Sequence, residues 1–171
     1  MEMFDFSDWT KTAQAKADFV SEQGVSGQAN FTEYQKDTVT LVHVTVDVQG
    51  DPAVLTPGLH GCHIHETGLA EPPFASAKGH FDPGPSGNSD PDVNHPFHAG
   101  DLPNIQVNND GVGHLETITS RITLTDGPLT IFDADGASVV LHSHTDHCEP
   151  AESKSGHSGG PRLACGVIEQ I

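Results

Sequence analysis

From Thr38 to Val48 the chain alternates with a period of two. Val42, Val44, Val46 and Val48 share one face with Thr38 and Thr40, while Val39, Leu41, His43, Thr45 and Asp47 take the other. Successive strand residues point to opposite faces, so this pattern predicts a strand over 39–48 with one face buried. Shorter apolar stretches at 17–21, 27–34, 60–66, 104–107, 112–118, 138–142 and 162–168 are bounded by Gly, Pro, Asn or Asp and predict seven more strands. Asn108-Asn109-Asp110-Gly111 joins two of them as a hairpin. Ahead of them, Ser7 is placed to cap a short helix from Asp8, and residues 1–14 read as an extension to a domain over 15–171. Eight strands and no substantial helix predict an all-β domain, a Greek-key β-barrel or sandwich. Two segments, 67–101 and 143–161, are long, irregular and polar. Loops of that length inside a compact domain are usually functional, and these predict that an ion or a cross-link pins them.

Composition narrows the partners. A chain of 171 residues fits one domain, and its 18 Gly and 12 Pro suit turns and short strands. The formal charge is −17 with only seven Lys and Arg, which argues against nucleic acid and anionic membranes, since both need clustered cations. The same acidity suits solubility or a high-salt cytosol. No run of 18 apolar residues predicts a transmembrane helix. The acidic start has no apolar signal-peptide core, which predicts a cytoplasmic location. The three cysteines, Cys62, Cys148 and Cys165, are an odd count and not a disulfide framework. The oligomeric state stays open, a homodimer included.

Twelve His against seven Lys and Arg is the outlying number, and imidazole is the commonest metal ligand. His63-Ile64-His65 on a strand sends both rings to one face, with Cys62 and Ile64 toward the core. His80 precedes Phe81-Asp82-Pro83, and His98 and Asp101 lie three apart, able to close on one ion across a turn; nitrogen with carboxylate suits zinc. His142 ends a strand, and Asp146 beyond it is placed to orient a ligand ring. His144 and His147 read as solvated loop residues. Arg162, ahead of the last strand, is a cation suited to a small anion in so acidic a chain.

Taken together, His60-Gly61-Cys62-His63-Ile64-His65-Glu66, Gly79-His80-Phe81-Asp82-Pro83, His98-Ala99-Gly100-Asp101-Leu102-Pro103-Asn104 and Arg162-Leu163-Ala164-Cys165-Gly166-Val167-Ile168 resemble, in order, the motifs of the copper/zinc superoxide dismutases. The resemblance spans roughly residues 15–171. It implies copper held by His63, His65, His80 and His142, and His80 bridging to a zinc shared with His98 and Asp101. It implies that Asp146 links the two sites, that Arg162 positions superoxide, and that His80 passes a proton to departing peroxide. The implied reaction is disproportionation of superoxide to oxygen and hydrogen peroxide by copper redox cycling.

Two departures stand out. The family has a further zinc His eight residues after the bridging one, and Asn88 stands there; His95 is the candidate replacement, and otherwise the zinc site is incomplete. The family also pairs the Cys of Ala164-Cys165-Gly166 with a loop Cys, and Phe74 stands at that partner position, which predicts no disulfide of the family type. The zinc defect keeps a second reading open, a copper-binding protein of the same fold with little turnover. Retention of both His80 and Arg162 weighs against it, because a copper buffer needs neither.

Overall fold

The computed structural model describes residues 4–85 and 87–171. Ten strands run in chain order: β1 (Thr10–Asp18), β2 (Ser26–Lys36), β3 (Val39–Gln49), β4 (Gly58–His60), β5 (Cys62–His65), β6 (Ile105–Val107), β7 (Val112–Thr119), β8 (Ser138–His142), β9 (Arg162–Val167) and β10 (Glu169–Gln170). They form a seven-stranded sheet ordered β10-β1-β2-β3-β7-β6-β4 and a three-stranded sheet ordered β5-β8-β9, every named pair antiparallel. The architecture is the all-β one expected.

The alternating segment behaves as its pattern requires. Val42, Val44, Val46 and Val48 are buried, and Phe31 and Ala29 of β2 stand opposite Val44 and Val46. Each such valine contributes roughly 1.5 kcal/mol or more. Ile64, Cys62, Val139, Leu141 and Ala164 fill the core from the smaller sheet.

Some boundaries differ from expectation. Ser7 and Asp8 lie in a turn and cap no helix, and β1 begins at Thr10 rather than near Ala17. The first turn closes through Trp9 N–H to the Phe6 carbonyl at 2.9 Å. The first three residues of the expected extension lie outside the described residues. The single strand expected over 60–66 breaks at Gly61 into β4 and β5, which belong to different sheets. Gly61 donates to the His144 carbonyl and accepts from His142 N–H, so the second long loop crosses it closely. A Cβ on Gly61 would lie 2.8 Å from the Ser158 carbonyl oxygen, which is why no larger residue fits that crossing.

Both long loops are held by backbone hydrogen bonds. In the first, Ile64 N–H donates to the Gly100 carbonyl, Phe81 N–H to the Ile64 carbonyl and Gly100 N–H to the Phe81 carbonyl, at 2.8–2.9 Å. The first loop thus lies along β5 and covers the face that carries His63 and His65. In the second, Ser143 N–H donates to the Pro161 carbonyl and His144 N–H to the Gly159 carbonyl.

Glu33 is a buried carboxylate away from the histidines. It accepts from the Thr12 hydroxyl at 2.7 Å, Leu124 N–H at 2.6 Å, Thr125 N–H at 3.1 Å and the Thr125 hydroxyl at 2.8 Å. Burial would raise its pKa, but these donors outweigh it and lower it. A lowered carboxyl pKa gives stability that is present above the unfolded pKa and is lost as pH falls through the folded one. Glu33→Gln therefore costs about 1–3 kcal/mol at pH 7, read from the urea midpoint, and the difference from wild type shrinks in acid.

Candidate metal centre

Six buried histidines meet where β5, the end of β8 and the first long loop come together. His63, His65 and His142 come from strands, and His80, His95 and His98 from the loop. The period of two on β5 puts Cys62 and Ile64 in the core and both His on the loop side. His80 reaches them through an isolated bridge to His65, and Asp101 through one to His63.

All six rings have one nitrogen hydrogen-bonded and the other without a partner, and four of them group together. His63 Nε2 lies 2.9 Å from Asp146 Oδ2, His65 Nδ1 3.0 Å from the Lys78 carbonyl, His80 Nδ1 2.7 Å from Asp101 Oδ1, and His142 Nδ1 2.9 Å from the Gly160 carbonyl. Their other nitrogens, His63 Nδ1 and Nε2 of His65, His80 and His142, are buried without partners. These four residues each offer a ligand atom, all within 4.8 Å of one another. Buried polar atoms are normally satisfied, so four orphaned nitrogens grouped this closely could hold a metal ion.

Beside it lies a second group. His80, His95 and Asp101, together with His63, again offer ligand atoms within 4.8 Å of one another. His98 Nδ1 lies 2.8 Å from Asp101 Oδ2, and His95 Nδ1 3.2 Å from the same oxygen without hydrogen-bond geometry. The Nδ1 atoms of His80, His95 and His98 all therefore face the Asp101 carboxylate. That is a nitrogen-and-carboxylate set of the kind zinc takes. Asn88 is exposed, its side chain accepting from Asp90 N–H. His95 is the residue that enters, although it sits 15 positions after His80. Asp146 spans both groups, with Oδ1 2.7 Å from His95 Nε2 as well as Oδ2 on His63.

The environment sets protonation. Burial and the neighbouring His80 push His63 down to about 4, burial against the opposing pull of Asp101 leaves His80 at about 4, and burial with His63 alongside takes His142 to about 3. These rings are neutral at pH 7, the form that binds metal. His95 goes the other way: burial opposes its charge, but Asp101 and Asp146 on either side raise it to about 9.

Sequence reasoning missed several supporting groups. His60 is buried, with Nδ1 2.9 Å from the His142 carbonyl and Nε2 2.7 Å from the Thr56 carbonyl. Asn104 holds the backbone of Asp146 from both sides. Arg121 is a second guanidinium near the motifs, donating to the carbonyls of Pro96 and Asp101 and so bracing the loop. None of these carries a local signal, because each acts on at least one main-chain group distant in sequence.

Arg162 donates Nη1 to the Phe74 carbonyl at 2.5 Å and Nη2 to the Lys78 carbonyl. Phe74 and Lys78 both have positive φ, 72° and 60°, a backbone turn that aims two carbonyls at one guanidinium. Arg162, His142 and Lys154 line a single cleft with Asp92, Ser158 and Gly160.

The comparisons with known proteins decide the family. The family model described as copper/zinc superoxide dismutase matches residues 25–168. The chain belongs to the copper/zinc superoxide dismutase family. It is 38 % identical over 168 residues to "Superoxide dismutase [Cu-Zn]" of Deinococcus radiodurans, covering 91 % of this chain and 84 % of that protein. It is 33 % identical over 167 residues to "Extracellular superoxide dismutase [Cu-Zn]" of Brugia pahangi, covering 93 % and 77 %. The protein is an oxidoreductase that disproportionates superoxide with copper and zinc as cofactors. Among the described residues no helix is long and apolar enough to cross a membrane.

Against the family pattern quoted above, the cysteines stand apart. Cys62, Cys148 and Cys165 are all free. Phe74 packs with Ala77 and Val140 around Cys165, so an aromatic ring occupies the loop position opposite that thiol. Burial raises Cys62 to about 12 and Cys165 to about 11, while Cys148 is exposed. An alkylating reagent should therefore modify one thiol in the native protein and three after denaturation, counted by intact mass. A native count of zero, or a peptide joining two of the cysteines, would contradict this packing.

Proposed function

We propose that His63, His65, His80 and His142 hold copper, that His80, His95, His98 and Asp101 hold zinc, and that Asp146 links the two while Arg162 and His80 act on the substrate. The observation that carries this reading is the set of four buried ring nitrogens left without partners around one point. When bound, copper supplies a one-electron couple that takes an electron from one superoxide and gives one to the next.

The chain's own residues do the rest. Arg162 holds superoxide by charge: both of its described partners are neutral carbonyls, so its positive charge stays available at the cleft. His80 Nε2 faces the copper group and would hold a proton for the leaving peroxide only while it is not itself a metal donor, and its Nδ1, 2.7 Å from Asp101 Oδ1, faces the zinc group. His65, buried and braced on the Lys78 carbonyl, keeps its free nitrogen aimed into the group. The charge of −17 opposes an incoming anion, but screening confines that repulsion to about 8 Å at physiological ionic strength, and the groups of the cleft govern the last approach. The same acidity supports a protein without nucleic-acid or anionic-membrane partners, and three free thiols support a reducing compartment such as the cytoplasm.

Metal analysis together with a superoxide-decay assay tests the assignment. Wild-type protein should carry both metals. His95→Ala should lose zinc, retain copper and be cleaved faster between Asp82 and Phe97. Zinc uptake should also release a proton, because the His95 proton held between two carboxylates must leave; zinc affinity then rises with pH toward about 9. Calorimetry in buffers of different ionisation enthalpy reads that proton. An active wild-type enzyme that takes up copper but no zinc from excess metal would place the chain with copper-only members of the family.

A further inference from the structure

Asp92 belongs to neither metal group and to no motif, yet it is a carboxylate only 4 % exposed. Its Oδ2 accepts from Gly156 N–H and its Oδ1 from Ser158 N–H, both at 3.0 Å, and its main-chain carbonyl accepts from Ala151 N–H at 2.9 Å. Two residues earlier, Asp90 accepts from the Ser153 hydroxyl through one oxygen and from Asp92 and Val93 N–H through the other. A short acidic segment of the first long loop is thus laced to residues 151–158 of the second.

The two ends of this lacing matter differently. Three residues beyond Asp92 stands His95, which reaches Asp146 and faces Asp101. On the other loop, Lys154 lies between two clamped residues, and Gly160 accepts from His142 Nδ1. Gly159 lies against the same ring, where an added Cβ would come within 2.7 Å of His142 Cβ. Asp92 itself lines the cleft with His142, Lys154 and Arg162. A free carboxylate there would repel an anion. Here both oxygens are taken up by amide N–H groups of the loop it fastens, through charge-assisted bonds that are stronger than neutral ones.

We infer that Asp92 is a positioning residue that fastens the second long loop, whose Lys154 lines the cleft, to the segment carrying His95, so that zinc retention and the charge and shape of the substrate cleft are set together. This rests on the reading of His95 as a zinc ligand. The re-routed loop that brings His95 into the site also supplies the clamp, which ties the departure at Asn88 to the copper side of the enzyme.

The test is Asp92→Asn, nearly the same shape, with an amide N–H₂ facing a backbone N–H. With the metal-loaded enzyme, zinc affinity measured against a chelator should fall on the order of 10- to 100-fold. Proteolysis within 151–160 should speed up, in metal-free protein too, and kcat/KM should drop roughly tenfold with a flatter salt dependence as Lys154 leaves its place. The copper content should not change. Glu33→Gln is the control for a general loss of stability. If Asp92→Asn lowers only the urea midpoint, as Glu33→Gln does, and leaves zinc affinity and the salt dependence at wild-type values, the clamp is overturned. Zinc lost from His95→Ala but kept by Asp92→Asn rejects the clamp and leaves the zinc assignment standing. Zinc kept by both rejects the assignment and the clamp with it. Should Asp92→Asn not fold, Asp90→Asn decides the same question: lowered zinc affinity upholds the clamp and wild-type affinity overturns it.

Discussion

His63→Ala should abolish superoxide decay, by more than about a hundredfold, which is the upper range for losing a residue that merely supports a metal ligand. The ring does two things at once. Its Nδ1 is one of four unpartnered nitrogens in the proposed copper group, and its Nε2 binds Asp146, which also holds His95. The substitution removes a copper donor and leaves Asp146 with one ring partner fewer. Copper content measured after dialysis should fall, and zinc should be held more weakly. The fold should survive, because Cys62 and Ile64 on the opposite face of β5 keep their places in the core. A circular-dichroism spectrum of wild-type form with no activity is the expected pair of results. Undiminished superoxide decay would remove His63 from the copper site.

Arg162→Glu should lower kcat/KM by roughly 10- to 100-fold while copper content stays near wild type. The change moves the local charge by two units at a cleft that His142 also lines. It also takes away the donors to the Phe74 and Lys78 carbonyls. Its diagnostic is salt. With glutamate in the cleft, local charge and the −17 of the whole chain act in the same direction, and added salt should then accelerate the variant by screening the repulsion. An Arg162→Glu enzyme whose rate and salt dependence match wild type would show that the guanidinium does not guide the anion. Arg162→Lys keeps the charge but not the two-carbonyl fork, and should fall between the two.

The strands could be read from the sequence because burial imposes a period. Valines at every second position of β3 have one possible inward face, and the structure buries that face. His63 and His65 obey the same rule, so their common direction follows from two residues of spacing. The order of the motifs carried the family, and with it the proposal that His63, His65, His80 and His142 hold copper.

Tertiary structure alone decided the rest. Nothing local marks Gly61 as the point where a strand leaves one sheet for the other; that depends on the second loop crossing it at Ser158. Ser7 could cap a helix in an isolated peptide, but no helix follows it, and from Thr10 the chain pairs with β2. Spacing offered His95 only as a candidate in place of Asn88, because a loop free of regular structure has no period to fix which residue points inward. Only the closure of that loop on Asp101 and Asp146 selects it. Asp92, Asn104 and Arg121 are set by the same cause: each holds a main-chain group far away in sequence, and such partners exist only once the loops have closed onto each other or onto the rest of the fold.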